Sequence, residues 1–73
     1  MAVFTDLEKD RLERYLKNKF GAPQLQIKSR EKASDSVEVL LAGEFLGVIY
    51  KDQEDGDTSY DLNMAILEMD LPE

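Results

Sequence analysis

The chain has 73 residues, 42% hydrophobic and 34% charged, with a net charge of −7 and a pI near 4.4. That composition supports one small folded domain, residues 1–73, rather than a disordered chain. Cysteine and histidine are both absent, which excludes disulfides and the common zinc and iron–sulfur sites, and the net acidity disfavours nucleic acid and anionic lipid as partners.

Thr5-Asp6-Leu7-Glu8 predicts a helix start. Thr5 can accept from the amide of Glu8 while Glu8 reaches back to Thr5, the reciprocal capping arrangement. Asp6 and Glu8 also complement the positive end of the helix dipole. Leu12, Leu16 and Phe20 recur every four residues, with Tyr15 beside them, and make one apolar stripe. Asp10–Arg14 and Glu13–Lys17 are i,i+4 pairs in the favourable order, each contributing ~0.3 kcal/mol at an exposed surface. Gly21 supplies a left-handed stop and Pro23 keeps the helix from resuming. The helix is expected over residues 6–20.

Leu25, Ile27 and Ser29 alternate with Gln24, Gln26 and Lys28, a short strand with one polar face. Residues 30–35 are polar and predict a loop. Val37, Val39 and Leu41 alternate within a second strand over 36–42. Gly43-Glu44 is expected as a two-residue hairpin turn, followed by a third strand over 45–51. An acidic loop over 52–57 contains the Asp55-Gly56 turn signal. From Thr58, the residues Tyr60, Leu62, Met64 and Ile66 alternate with polar or small neighbours and predict a fourth strand. After Ile66 the apolar set becomes Leu67, Met69 and Leu71. A β-bulge near Ile66–Leu67 accounts for that change of phase, and a short helix from Asn63 is the competing reading. The fold class is therefore α+β: one N-terminal helix packed on a four-stranded antiparallel meander.

With Gly43 and Glu44 as the turn, Ala42 faces Phe45, Val39 faces Val48 and Val37 faces Tyr50. One sheet face then carries Val37, Val39, Leu41, Leu46, Val48 and Tyr50, the expected bed for the helix. The other carries Glu38, Leu40, Ala42, Phe45, Gly47 and Ile49, which is more apolar than a solvated antiparallel face should be. One helix cannot cover both faces. Either the C-terminal segment folds back over Leu40, Phe45 and Ile49, or another chain covers them; Leu40, Phe45 and Ile49, with Leu67 and Met69 from that segment, are the expected interface. Scattered apolar side chains on a surface are the ordinary alternative.

Polar clusters suggest little chemistry. Asp52, Glu54, Asp55 and Asp57 are close enough in sequence to hold a hard cation. The calcium-loop pattern fails, because Gly56 at its sixth position puts Lys51 first and Leu62 twelfth. A solvated turn is the simpler reading. Arg11, Arg14 and Lys17 on the helix, with Lys28, Arg30 and Lys32 after it, form a basic run, since residues 1–32 sum to +3 and residues 33–73 to −10. Interspersed acids and the lack of a stacking-aromatic motif make a salt-bridged solvated face the simpler reading there too. No thiol nucleophile, histidine base or glycine-rich phosphate loop is present, so no enzyme activity and no cofactor are expected.

Gly43-Glu44-Phe45-Leu46-Gly47-Val48-Ile49-Tyr50, Glu54-Asp55-Gly56-Asp57, Ser59-Tyr60, Met64-Ala65-Ile66-Leu67 and the helix segments Arg14-Tyr15-Leu16 and Phe20-Gly21 together resemble a family of short bacterial proteins of unknown function. The resemblance covers nearly the whole chain and implies a complete small bacterial cytoplasmic protein. It implies no catalytic residue. A cytoplasmic location also fits the lack of cysteine, and Met1-Ala2-Val3-Phe4 has no basic region or long apolar run of a signal peptide. No stretch has the ~20 apolar residues a membrane span needs.

The expected function is a non-enzymatic protein–protein interaction module, bound to an unidentified protein or to itself as a homodimer, through the sheet face opposite the helix. The alternative is a small regulatory domain that binds an ion or charged ligand through the acidic loop or the basic helix face.

Overall fold

A computed structural model describes residues 3–30, 32–53 and 56–72. The helix α1 (Asp6–Phe20) has the expected bounds and both halves of its cap. Thr5 Oγ1 accepts from the Glu8 amide at 3.1 Å, and Glu8 Oε1 accepts from the Thr5 amide at 3.0 Å. Gly21 ends it in the left-handed conformation, at φ 58°. The two expected i,i+4 pairs form, Arg14–Asp10 at 2.9 Å and Lys17–Glu13 at 3.3 Å.

Four strands follow: β1 (Leu25–Arg30), β2 (Ala33–Leu41), β3 (Glu44–Asp52) and β4 (Ser59–Met64). Each pairs antiparallel with the next, in the spatial order β1-β2-β3-β4. The chain is thus the helix-and-meander α+β fold that alternation and turn chemistry predict. β2 starts earlier than its polar sequence suggests. Ser34 and Asp35 are in the strand, and the Ser34 carbonyl accepts from the Phe4 amide at 3.2 Å. Beyond β4 the expected bulged strand does not continue, and neither does a helix from Asn63. The strand ends at Met64, and among the described residues a single 3₁₀ turn, Glu68–Asp70, follows.

The hairpin between β2 and β3 corrects the expected faces. Its turn residues are Ala42 and Gly43, both at positive φ (53° and 84°), the pattern of a type I′ turn, and Leu41 pairs with Glu44. That one-residue displacement of the turn would leave every side chain on its expected face. The faces change because β3 carries an extra residue: Leu40 pairs with Phe45, but Val39 pairs with Gly47, so Leu46 is a bulge. Past the bulge Val37 lies opposite Ile49, not Tyr50. Ile49 therefore points toward the helix and is only 2% exposed, and it leaves the expected interface. Val48 and Tyr50 take the outer face, among Gln26, Lys28, Glu38, Ser59, Asp61 and Asn63.

An L-residue at positive φ is strained by about 1 kcal/mol. Ala42→Asn restores the Asn-Gly pair that a type I′ turn favours. It should raise stability by about 0.5–1 kcal/mol in urea unfolding; an unchanged midpoint would show that the turn has another geometry.

The core lies between α1 and the sheet. Phe4, Leu16, Leu25, Val37, Val39 and Ile49 are buried, and Leu12, Ala22, Ile27, Leu41 and Leu46 pack against them. The helix lies along β1, at one side of the sheet. Glu13 Oε1 accepts from the Ile27 amide at 3.0 Å, the Lys9 ammonium donates to Ser29 Oγ at 2.7 Å, and the Leu25 amide donates to the Ala22 carbonyl at 3.1 Å. One helix placed there leaves the far side of the same sheet face uncovered.

Candidate functional site

That uncovered strip is a groove of about 470 Å³ between α1 and β4. Leu12, Tyr15 and Leu16 line its helix wall, Ile49, Tyr60 and Leu62 its floor, and Glu8 and Arg11 contribute polar groups. The register explains the floor. Ile49 pairs with Leu62, Lys51 with Tyr60 and Gly47 with Met64, so Tyr60, Leu62 and Met64 all project from β4 toward the helix side. Apart from Glu8, which takes the Tyr60 hydroxyl, the helix does not cover them, and every residue of β4 is exposed. β4 is also an edge strand. Among the described residues no strand lies beside its outer row of backbone N–H and C=O groups, and Ser59–Met64 contains neither Lys nor Pro, the residues that commonly blunt such an edge.

One end of the groove is rigidly built. The Glu8 carboxylate accepts from the Lys51 ammonium at 2.7 and 2.8 Å and from the Tyr60 hydroxyl. The same ammonium donates to the Val3 carbonyl at 3.0 Å. The Lys51 and Glu8 side chains are only 7% and 16% exposed. Phe4 lies against Tyr60, with ring centroids 5.9 Å apart and planes inclined by 41°. One carboxylate thus joins the start of α1, β3 and β4. The hydrogen bond from Lys51 and then that from Tyr60 hold Glu8 down at about 2, against a desolvation effect of opposite sign. Tyr60 is pushed above its usual phenol range, first by donating to Glu8 and then by desolvation. No buried side-chain nitrogen or oxygen among the described residues lacks a partner. This end is a structural clasp with its polar groups already satisfied.

The expected interface residues do not form one surface. Leu40 and Phe45 are neighbours on the face away from the helix, where Leu40 is half-buried and Phe45 is 58% exposed. Ile49 is in the core on the opposite face. Leu67 and Met69 lie beyond β4 and are 54% and 84% exposed. Of the expected cation ligands, Glu54 and Asp55 lie outside the described residues, Asp52 ends β3 opposite Ser59, and Asp57 is exposed. Among the described residues no three acidic side chains form a cluster that could hold a metal. On the basic helix face Arg14 and Lys17 are engaged with Asp10 and Glu13, while Arg11 has no ion pair among the described residues. Sequence patterning finds Tyr60 and Leu62 as strand residues but gives no sign of the groove. That depends on where the helix lies across the sheet. Glu8 reads as a cap, and nothing local marks Lys51 as its partner.

No helix among the described residues is long and apolar enough to cross a membrane. A family model described as "Protein of unknown function (DUF3126)" matches residues 8–70, from the clasp carboxylate through the 3₁₀ turn. No curated protein and no solved structure matches the chain.

Proposed function

The chain belongs to the DUF3126 family of proteins of unknown function, and from that premise we propose that it is a non-enzymatic interaction module that pairs with a second copy of itself through β4. The observation that carries this reading is an open edge strand whose three apolar side chains, Tyr60, Leu62 and Met64, continue a groove the helix leaves uncovered. A bacterial cytoplasmic setting is part of the reading.

A second copy suits this edge because β4 is self-complementary. An antiparallel pair centred on Leu62 sets Leu62 against Leu62, Tyr60 against Met64 and Asp61 against Asn63. No like charges then face one another, and the apolar residues of both strands share one face. Centring on Asp61 would oppose two carboxylates and is disfavoured. Residues 60–64 of each strand, five on each side, would then pair within β4 and add about six backbone hydrogen bonds.

Sedimentation of the full chain at ~0.1 mM should show a dimer, with a dissociation constant of about 1–100 μM. Met64→Lys, a charge at an exposed edge position, should leave a folded monomer. A monomeric wild-type protein would overturn the proposal, as would an interface lost on Phe45→Asp and kept on Met64→Lys. Salt gives a further readout. Two chains of net charge −7 repel, so screening should tighten apolar and backbone-mediated pairing. Association that weakens steeply with salt would favour the charged-ligand alternative instead.

A further inference from the structure

Among the described residues the segment after β4 packs against no surface of its own chain. Ile66, Leu67, Met69 and Leu71 are all more than half exposed. The segment leaves β4 at the end where Met64 pairs with Gly47, and none of its residues lines the groove. The molecule is correspondingly elongated, 44 × 24 × 23 Å. Over residues 67–71 apolar and acidic side chains alternate, Leu67, Met69 and Leu71 against Glu68 and Asp70. The groove has the matching character, an apolar floor and wall beside the Arg11 guanidinium, which has no ion pair among the described residues.

We infer that in the β4-paired dimer each C-terminal segment, residues 65–71, lies in the groove of the other copy. The inference rests on the pairing proposed above and names what fills the space beside it. Pairing centred on Leu62 puts Met64 of the second copy opposite Tyr60, at the groove floor, and Ala65 opposite Ser59. The second copy's segment therefore emerges beside the groove, at the end where α1 begins. With the 3₁₀ turn of Glu68–Asp70 opened, seven residues can span up to ~23 Å, enough to turn at the start of α1 and run back along the helix. Leu67, Met69 and Leu71 then cover Leu12, Tyr15 and Leu62, and Glu68 and Asp70 approach Arg11. Leu7, 64% exposed on the first turn of the helix, lies where the segment would cross.

Two sets of full-length variants test this. Leu67→Asp/Met69→Asp changes residues that are exposed in the single chain, so monomer stability should be unaffected while the dimer dissociation constant rises about tenfold or more. Arg11→Glu should weaken the dimer severalfold, and adding Glu68→Arg to Arg11→Glu should restore most of the loss. A dimer that Met64→Lys disrupts but Leu67→Asp/Met69→Asp leaves unchanged would overturn segment exchange and leave strand pairing intact. A protein monomeric at every concentration would overturn both. Failure of Glu68→Arg to rescue Arg11→Glu would overturn the proposed contact between the segment and the helix.

Discussion

Gly47→Ala should destabilise the domain by about 3 kcal/mol. Gly47 is buried and pairs with Met64. A Cβ built on it clashes with the Asn63 carbonyl oxygen, and lies 3.2 Å from the carbon of that carbonyl and 3.2 Å from Met64 Cγ. Two of those three atoms belong to the β4 backbone, so the clash cannot be relieved by turning a side chain. Either β4 moves off the sheet or the bulge at Leu46 is lost, and loss of the bulge would return Ile49 to the outer face. A domain of this size holds only about 4–11 kcal/mol in total, so the variant should unfold at a much lower urea concentration. Amide exchange in β4 should accelerate more than exchange in β1. A loss below about 1 kcal/mol would mean that β4 does not lie against Gly47 as described. The same variant should also fail to dimerise, because the strand that pairs is the strand it displaces.

The second large effect is expected at the clasp. Lys51→Met removes the cation beside a carboxylate that is mostly shielded from water and leaves Glu8 with Tyr60 and the Thr5 amide alone. Breaking a fully buried pair costs about 3–5 kcal/mol. Since Glu8 retains some contact with water, about 2 kcal/mol is expected here. Glu8→Gln should cost a similar amount, and the double variant less than the sum of the two, because the second substitution removes a group already left without its partner. The pH dependence has a definite sign. Glu8 titrates near 2 when folded and near 4.5 when unfolded. Its stabilisation is therefore complete above 4.5 and is lost as pH falls from there toward 2. Tyr60, raised above 10 in the fold, contributes fully below pH 10 and loses its contribution as pH rises through its folded value. Wild type and Glu8→Gln should thus differ most near neutrality and converge in acid. Parallel stability curves between pH 4.5 and 2 would show that Lys51 does not hold the Glu8 carboxylate.

The helix and the number of strands could be read from the sequence because each depends on neighbours a few residues apart. Thr5 and Glu8 mark the start of α1, Gly21 marks its end, and alternation in Val37-Glu38-Val39 or Tyr60-Asp61-Leu62 marks strands. The sheet faces depend on something less local. A single extra residue at Leu46 reverses everything after it, and Leu46 differs little in composition from Val48 or Ile49. The polar run 30–35 reads as a loop, yet Ala33, Ser34 and Asp35 are in β2, and Ser36 after them is buried, with Arg30 Nη1 donating to its hydroxyl at 3.0 Å. Phe4, four residues from the N-terminus, enters the core only because its amide reaches Ser34 and its ring meets Tyr60. The apolar excess seen in the sequence is real, but part of it lies beside the helix, at Tyr60, Leu62 and Met64, while Leu40, Phe45, Val48 and Tyr50 stay behind the sheet. That position follows from how far one helix extends across four strands.

Glu13 has a further consequence. Its carboxylate on the Ile27 amide, with Ala22 taking the Leu25 amide, occupies outward-facing donors of β1, while the helix lies along that border of the sheet. Among the described residues β4 is then the border whose outward donors stand open to recruit a strand. Pairing at β4 would give an eight-stranded sheet whose two ends are both β1 strands, each sealed by its own helix. Such an assembly is finite: it stops at two chains, and the route by which exposed strands stack into filaments is blocked at both ends.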